Sequence, residues 1–120
     1  MTADQEAARR LEQSLRDFLA FAAVGARLVA RGRAAYDADE MLRLAAEAIL
    51  HRLGEAVARL DRGFTEAHPT VRWRQLKSVR NLVAHEYHIV DYAILWNVLE
   101  TDLPREAAAV ISILGEGRAT

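Results

Sequence analysis

Five side chains with useful chemistry lie within one stretch of eight residues, namely those of Arg80, Asn81, His85, Glu86 and Tyr87. A histidine titrates near neutral pH, so His85 can accept the proton of a ribose 2′-hydroxyl. A guanidinium stays charged and can hold two phosphoryl oxygens in a fork, which suits Arg80 to the negative charge that grows there. The stretch therefore offers the groups that RNA cleavage needs when no metal ion takes part.

Helix geometry limits how Arg80 and His85 can meet. Residues five apart on a continuous α-helix differ in direction by roughly 140°, so these two side chains would diverge on one. We therefore predict that the helix loosens between Ala84 and Tyr87, or that two subunits supply complementary halves of one site. In such a site Asn81 can orient the phosphate, and Tyr87 can donate to a phosphate oxygen or stack on a base.

A simpler interpretation of the same residues stays open. Arg80 can form an ion pair, for instance with Glu86 or Glu55, and His85 can be a histidine at a helix end. Arginine and histidine a few residues apart occur by chance in many proteins. Spacing by itself therefore does not decide between the two interpretations.

The rest of the sequence offers few other sites for chemistry. The chain has no cysteine, which excludes disulfides, thiolate nucleophiles and cysteine-based zinc sites. The sequence has neither the HExxH spacing of zinc enzymes nor an Asp/Asn-rich calcium loop, and it has no Gly-rich phosphate loop. We therefore expect no metal and no cofactor.

Basic residues concentrate in the same region as the candidate site. The formal net charge of the chain is −1, so its overall field does not attract nucleic acid. Residues 71–88 nevertheless contain a single acid, Glu86, and four basic residues: Arg72, Arg74, Lys77 and Arg80. We predict that these four bind RNA, although the pattern also fits a solvated helix face.

Length and composition indicate one domain over residues 1–120. The chain is too short for two ordinary domains, and 52% hydrophobic with 28% charged residues suits a folded, soluble protein. No apolar run reaches the roughly 18 residues of a membrane span, and the first residues are too charged for a signal peptide. We expect a cytoplasmic protein.

Helical periodicity runs through the chain, and no window alternates as a strand does. The pattern predicts a first helix over Asp4–Ala30 and a second from a cap at Asp37 or Asp39 to about Leu60. An Arg-rich turn separates these two helices. A loop is predicted over residues 61–70, followed by a third helix that runs from there to Ala84.

A fourth helix is predicted to begin at Asp91 and to turn four apolar residues inward: Ile94, Leu95, Val98 and Leu99. Pro104 removes a backbone donor and clashes with the preceding turn, so we expect it to leave Arg105–Leu114 as a terminal helix. Gly115 and Gly117 are expected to end the ordered chain. The predicted fold is all-α, a four-helix up-down bundle with a kinked or divided C-terminal helix.

The predicted second helix carries more apolar residues than one core stripe needs. They are Met41, Leu42, Leu44, Ala45, Ala48, Ile49, Leu50, Leu53, Val57 and Leu60. We expect the surplus to pack against a helix of another subunit, so that the protein is a homodimer.

Several motifs, in order, resemble the HepT-type toxins, a branch of the HEPN superfamily. The family's signature is an arginine, then four residues, a histidine, one residue and a tyrosine. Here it is matched by Arg80, His85 and Tyr87. Residues 52–57 are similar to its IGEA segment, and residues 71–76 to its tryptophan-containing lead-in. Residues 90–96, with Asp102-Leu103-Pro104 after them, are similar to its closing segment. The resemblance covers roughly residues 41–114.

This resemblance implies a HEPN-like bundle in which two subunits bring both motifs to one cleft. It implies metal-independent cleavage of tRNA or mRNA to a 2′,3′-cyclic phosphate and a 5′-hydroxyl, with Arg80 and His85 catalytic and Asn81 assisting. The implied partner is an MntA-like nucleotidyltransferase antitoxin, which silences a type VII-like toxin by adding AMP to Tyr87. The alternative is a non-catalytic HEPN-like subunit that binds a nucleotidyltransferase and cuts no RNA.

Overall fold

The computed structural model describes residues 2–84 and 90–119, which form helices and turns and contain no strand. The helices are α1 (Ala3–Ala30), α2 (Arg33–Ala38), α3 (Glu40–Ala58), α4 (Arg62–Ala67), α5 (Trp73–Ala84), α6 (Tyr92–Asn97) and α7 (Leu103–Ala119), with a π-helical segment at Val98–Asp102 between α6 and α7. The predicted all-α fold class is confirmed. His85 and Tyr87, and with them the predicted loosening of the helix, lie outside the described residues.

Helix α3 packs against both α1 and α5, and α7 packs against α1. The inward faces of these helices form one hydrophobic core. Its largest fully buried side chains are Tyr36, Phe18, Leu50, Leu53, Leu95, Leu99, Leu103 and Val110. The four predicted helices correspond to α1, α3, α5 and the path from α6 to α7.

Short polar side chains begin the helices where the sequence predicts them. Asp39 caps α3, with its Oδ1 accepting from the Met41 backbone N–H at 2.9 Å. Asp91 caps α6, and its Oδ1 accepts from the backbone N–H groups of Ala93 and Ile94 at 3.0 and 3.2 Å. Each carboxylate satisfies donors that the first turn of a helix leaves without partners, so these caps fix where α3 and α6 begin.

Two short helices were not predicted. Helix α2 occupies the expected Arg-rich turn, because Tyr36 is fully buried and draws that segment onto the core. Helix α4 occupies the expected loop, because Asp61 caps it by accepting from the Phe64 N–H at 2.8 Å. The Phe64 ring then packs against the Trp73 ring at 5.8 Å between centroids. Tertiary packing of Tyr36 and a local cap at Asp61 therefore turned two predicted connections into helices.

The C-terminal element divides at Pro104, but the break is a change of helix type. The Leu103 N–H donates to the Val98 carbonyl, five residues back, in the π-helical segment. This wider turn relieves the clash that Pro104 would cause in a regular α-helix. The predicted end at Gly115 is wrong, since α7 continues to Ala119. A helical glycine costs about 1 kcal/mol relative to alanine, which is too little to end a helix already under way.

The inward residues of the fourth helix were predicted correctly except for Ile94, which is 45% exposed. Leu95, Val98 and Leu99 are buried. No helix in the described part of the chain is long and apolar enough to cross a membrane.

Candidate active site around Arg80

Arg80 lies on α5 where this helix packs closely against α3, next to Gly54. A Cβ atom added at Gly54 would lie 2.6 Å from the Arg80 Cβ and 3.2 Å from the Arg80 backbone nitrogen. Real Cβ atoms essentially never come within 2.6 Å of another heavy atom, so any larger residue would force α5 away. Gly54 therefore sets the position of Arg80 relative to α3.

The residue after Gly54 holds the Arg80 side chain. The Arg80 Nη1 donates to the Glu55 Oε1 at 3.0 Å, and the two side chains are 29% and 46% exposed. The ion pair with Glu55 left open by the sequence is therefore present. This contact orients Arg80 and uses one of the five N–H donors of its guanidinium.

The four predicted RNA-binding residues and Asn81, predicted to assist catalysis, fall into two groups. Arg74, Lys77 and Asn81 are exposed and recur at three- and four-residue steps along α5, so they share one face of the helix. Arg80 follows Lys77 by three residues and lies at the edge of this face nearest α3. Arg72 precedes α5 and is therefore not part of this helix face.

The start of α5 is held by a buried acid on α7. Glu106 is 3% exposed, and its Oε1 accepts from the Arg72 backbone N–H at 3.2 Å. Helix α5 is therefore tied by a carboxylate at each end, to Glu106 at its beginning and to Glu55 near Arg80. These contacts fix the helix along its length.

Glu106 was missed by the sequence analysis, although a pattern could have revealed it. It lies three residues after Leu103 and four before Val110, both of which are buried. This spacing places an acid on the apolar stripe of α7. A charged residue on such a stripe indicates a specific tertiary partner.

A cluster of tyrosines packs where α6 begins. Tyr36 on α2 is fully buried, and its Oη donates to the Tyr92 carbonyl at 2.8 Å. The Tyr92 Oη donates to the Glu47 Oε2 at 2.6 Å. Burial, and less strongly the Tyr92 phenol, raises the pKa of Tyr36 to about 12. The hydrogen bond to Glu47 raises the pKa of Tyr92. Both phenols therefore keep the protons that they donate.

Two larger cavities lie away from Arg80. One, of about 550 Å³, is lined by the first half of α1 and the chain from Arg59 to Asp61. The other, of about 530 Å³, is lined by α1, Phe64, His68 and the end of α7. Neither is lined by Arg80 or Asn81, so both lie apart from the candidate site.

A comparison with known protein families matches most of this chain, including Arg80. The family model described as ribonuclease HepT-like matches residues 5–113. This chain belongs to the ribonuclease HepT-like family. The resemblance that the motifs indicated is therefore confirmed.

Curated relatives of this HepT-like chain are named as ribonucleases. A "Putative RNase" of Methanocaldococcus jannaschii is 33% identical over 67 residues, which are 56% of this chain and 62% of the relative. A "Putative RNase" of Caldanaerobacter subterraneus is 34% identical over 76 residues, 63% of this chain and 68% of the relative. A "Probable ribonuclease HepT" of Thermococcus cleftensis is 30% identical over 66 residues, 55% of this chain and 60% of the relative.

The match thus spans 62% of the length of the first of these relatives. No solved structure matches the HepT-like chain. The predicted pairing of Arg80 with His85, and the modification of Tyr87, fall on residues outside the described part of the chain. Both stay predictions.

Proposed function

We propose that this HepT-like chain is the toxin of a type VII-like toxin–antitoxin pair and cleaves tRNA or mRNA without a metal ion. The observation that carries the proposal is the placement of Arg80. Gly54 and Glu55 fix it at the edge of an exposed basic face, in a chain that matches a ribonuclease family over residues 5–113.

The proposed reaction is a transesterification. His85 takes the proton of the ribose 2′-hydroxyl, whose oxygen forms a new bond to the adjacent phosphorus. The bond from phosphorus to the 5′-oxygen breaks, and that oxygen takes a proton from water. The products are a 2′,3′-cyclic phosphate and a 5′-hydroxyl. Arg80 donates to the non-bridging oxygens, where negative charge grows, and Asn81 orients the phosphate.

RNA is proposed to bind along α5. The exposed side chains of Arg74 and Lys77 lie on the face that ends at Arg80, and they supply contacts to the phosphate backbone. Arg72 would contact RNA from the start of the helix. Such contacts release counterions, so the affinity for RNA should fall steeply as salt increases.

The proposed active form is a homodimer. The first half of α3 exposes two large apolar side chains, with Met41 77% and Leu44 51% accessible. Ala48, also exposed, continues the same stripe one turn later. Apolar side chains clustered on one helix face favour a protein partner over solvent, and a second copy of α3 would bring two copies of the motif together.

Control of the toxin is proposed to act on Tyr87. An MntA-like nucleotidyltransferase would join the Tyr87 oxygen to the α-phosphorus of ATP, with release of pyrophosphate. The AMP group adds bulk and negative charge beside Arg80, so RNA phosphates would be repelled.

The test uses purified protein incubated with tRNA and with mRNA in EDTA, beside the variants Arg80→Ala and His85→Ala. We expect cleavage by the unmodified chain, loss of cleavage in both variants, and fragments that end in a cyclic phosphate and begin with a 5′-hydroxyl. Intact RNA in all samples would instead support the non-catalytic binding subunit. Cleavage that survives in His85→Ala would point to a contaminating nuclease.

A further inference from the structure

We propose that Glu47 and Tyr92 are positioning residues, which fix the end of the motif segment opposite to Arg80. This inference rests on the proposed function, because the segment between Arg80 and Tyr92 carries His85 and Tyr87. Neither Glu47 nor Tyr92 is among the groups proposed to touch RNA. Both act through the backbone that they hold.

Tyr92 is held by its side chain and by its backbone at once. Its Oη donates to the Glu47 Oε2 at 2.6 Å, and its carbonyl accepts from the Tyr36 Oη at 2.8 Å. The first bond has a charged acceptor, and such bonds are about twice as strong as neutral ones. The second comes from a fully buried side chain. Tyr92 is therefore tied to α3 and α2 in a single orientation.

Arg43 strengthens this anchor from the same helix as Glu47. Its Nη1 donates to the carbonyls of Tyr36 and Asp37 at 3.2 and 2.6 Å. Its guanidinium carbon lies 5.7 Å from the centre of the Tyr92 ring, within range of a cation–π contact. The short helix that supports the Tyr92 backbone is thus fastened to α3.

Both ends of the motif segment are consequently tied to one helix. Glu55 holds Arg80, and Glu47 holds Tyr92. The two acids lie eight residues apart on α3, which corresponds to about 12 Å along the helix axis. Because a helix of this length is stiff, it sets the distance between the two ends of the segment. Contact at Arg80 alone would fix only one of them.

This double attachment matters for the proposed reaction because catalysis depends on placement. A shift of about 1 Å in a reacting group can lower a rate by about 100-fold. The groups that bind the RNA backbone lie on α5, at the Arg80 end. Loosening the Tyr92 end should therefore affect the chemical step more than the binding of RNA.

The kinetic experiment compares Tyr92→Phe, Glu47→Gln and the double variant in the full chain. We expect kcat for RNA cleavage to fall by about 10- to 100-fold, with KM changed by less than about twofold. The double variant should be no slower than the worse single variant, because both changes remove the same hydrogen bond. Glu66→Gln, which removes an exposed acid paired with Arg62, is the matched control and should leave kcat unchanged.

A second measurement does not depend on cleavage. Histidine resonances of the uncleaved protein are recorded by NMR, with the His85 peak assigned from its loss in His85→Ala. We expect the His85 peak to shift or broaden in Tyr92→Phe and Glu47→Gln, while those of His51 and His68 stay in place. The Glu66→Gln control should leave the His85 and His51 peaks unchanged.

The outcomes separate this inference from the proposed function. An unchanged His85 peak in both variants would overturn the positioning role, whatever the cleavage assay gives. If the His85 peak shifts in the variants but the unmodified protein never cleaves RNA, the positioning role is supported and the nuclease function is overturned. If instead KM rises by about 10- to 100-fold and kcat is unchanged, the positioning role is overturned and Tyr92 belongs among the RNA-binding groups.

Discussion

The two halves of α3 differ in what they contact. The second half is packed inside the chain, where Leu50 and Leu53 are fully buried and Gly54 lies against Arg80. The first half leaves Met41 and Leu44 exposed to solvent. The same helix therefore positions Arg80 and, in the proposed homodimer, offers an apolar surface to the second subunit. Substitutions at Leu53 or Gly54 should damage the fold and the site, whereas a substitution at the exposed Met41 or Leu44 should change only assembly.

The largest effect is expected from Gly54→Ala. The added Cβ would lie 2.6 Å from the Arg80 Cβ, so α5 must move, at a cost of about 1–3 kcal/mol in the free energy of unfolding. RNA cleavage should fall as well, because Arg80 moves with α5. Urea unfolding and the cleavage assay measure the two effects.

Gly115→Ala is the matched control for this change. Its added Cβ would meet no atom within 4 Å, in a helix where alanine is the better residue. The variant should be as stable as the parent or more stable by up to about 1 kcal/mol. Equal stability of Gly54→Ala and the parent would show that α3 and α5 do not depend on a glycine.

The next effect concerns the first half of α3. Leu44→Glu should shift the protein from dimer to monomer in sedimentation, because a charge replaces an apolar side chain in the proposed interface. Its free energy of unfolding as a monomer should change by no more than about 0.5 kcal/mol. Ile111→Glu, at a residue 58% exposed on α7, is the control and should remain dimeric. A dimer that persists in Leu44→Glu would place the interface elsewhere.

A further effect appears at high pH, at the Tyr36 cluster that supports the first half of α3. The pKa of Tyr36 is raised from 10.0 to about 12 in the folded chain. The folded protein therefore holds this proton more tightly than the unfolded chain, and the corresponding stability is present below pH 10 and lost as the pH rises to about 12. Urea unfolding at several pH values should show the free energy of unfolding falling over this range. In Tyr36→Phe it should fall less steeply with pH. If the free energy of unfolding falls equally steeply with pH in Tyr36→Phe and in the unmodified chain, the loss of stability comes from other groups.

A small effect on stability is expected from Glu55→Gln. The ion pair with Arg80 is partly exposed, and such pairs contribute about 0–1 kcal/mol. Cleavage should nevertheless fall, because Arg80 loses the partner that orients it. Comparison with Gly54→Ala, which changes both quantities, would show whether orientation and packing can be separated at this site.

Local sequence rules predicted much of the fold. The periodicity gave the main helices, and Asp39 and Asp91 marked the beginnings of α3 and α6 because a short carboxylate satisfies the free N–H groups of a first turn. The same rules failed at α2 and α4. Helix α2 forms because Tyr36 packs against residues distant in sequence. Helix α4 begins at the Asp61 cap, a local signal that the sequence analysis did not use.

For the candidate site, the sequence determined which chemical groups are available, the family to which they belong and the helix that carries Arg80. It left open which acid would pair with Arg80, and it did not identify the partners of Glu106 and Glu47. Only the tertiary structure decided these contacts, because they join residues 25 to 45 positions apart. Helical periodicity and capping act within a few residues, whereas such contacts depend on how whole helices pack.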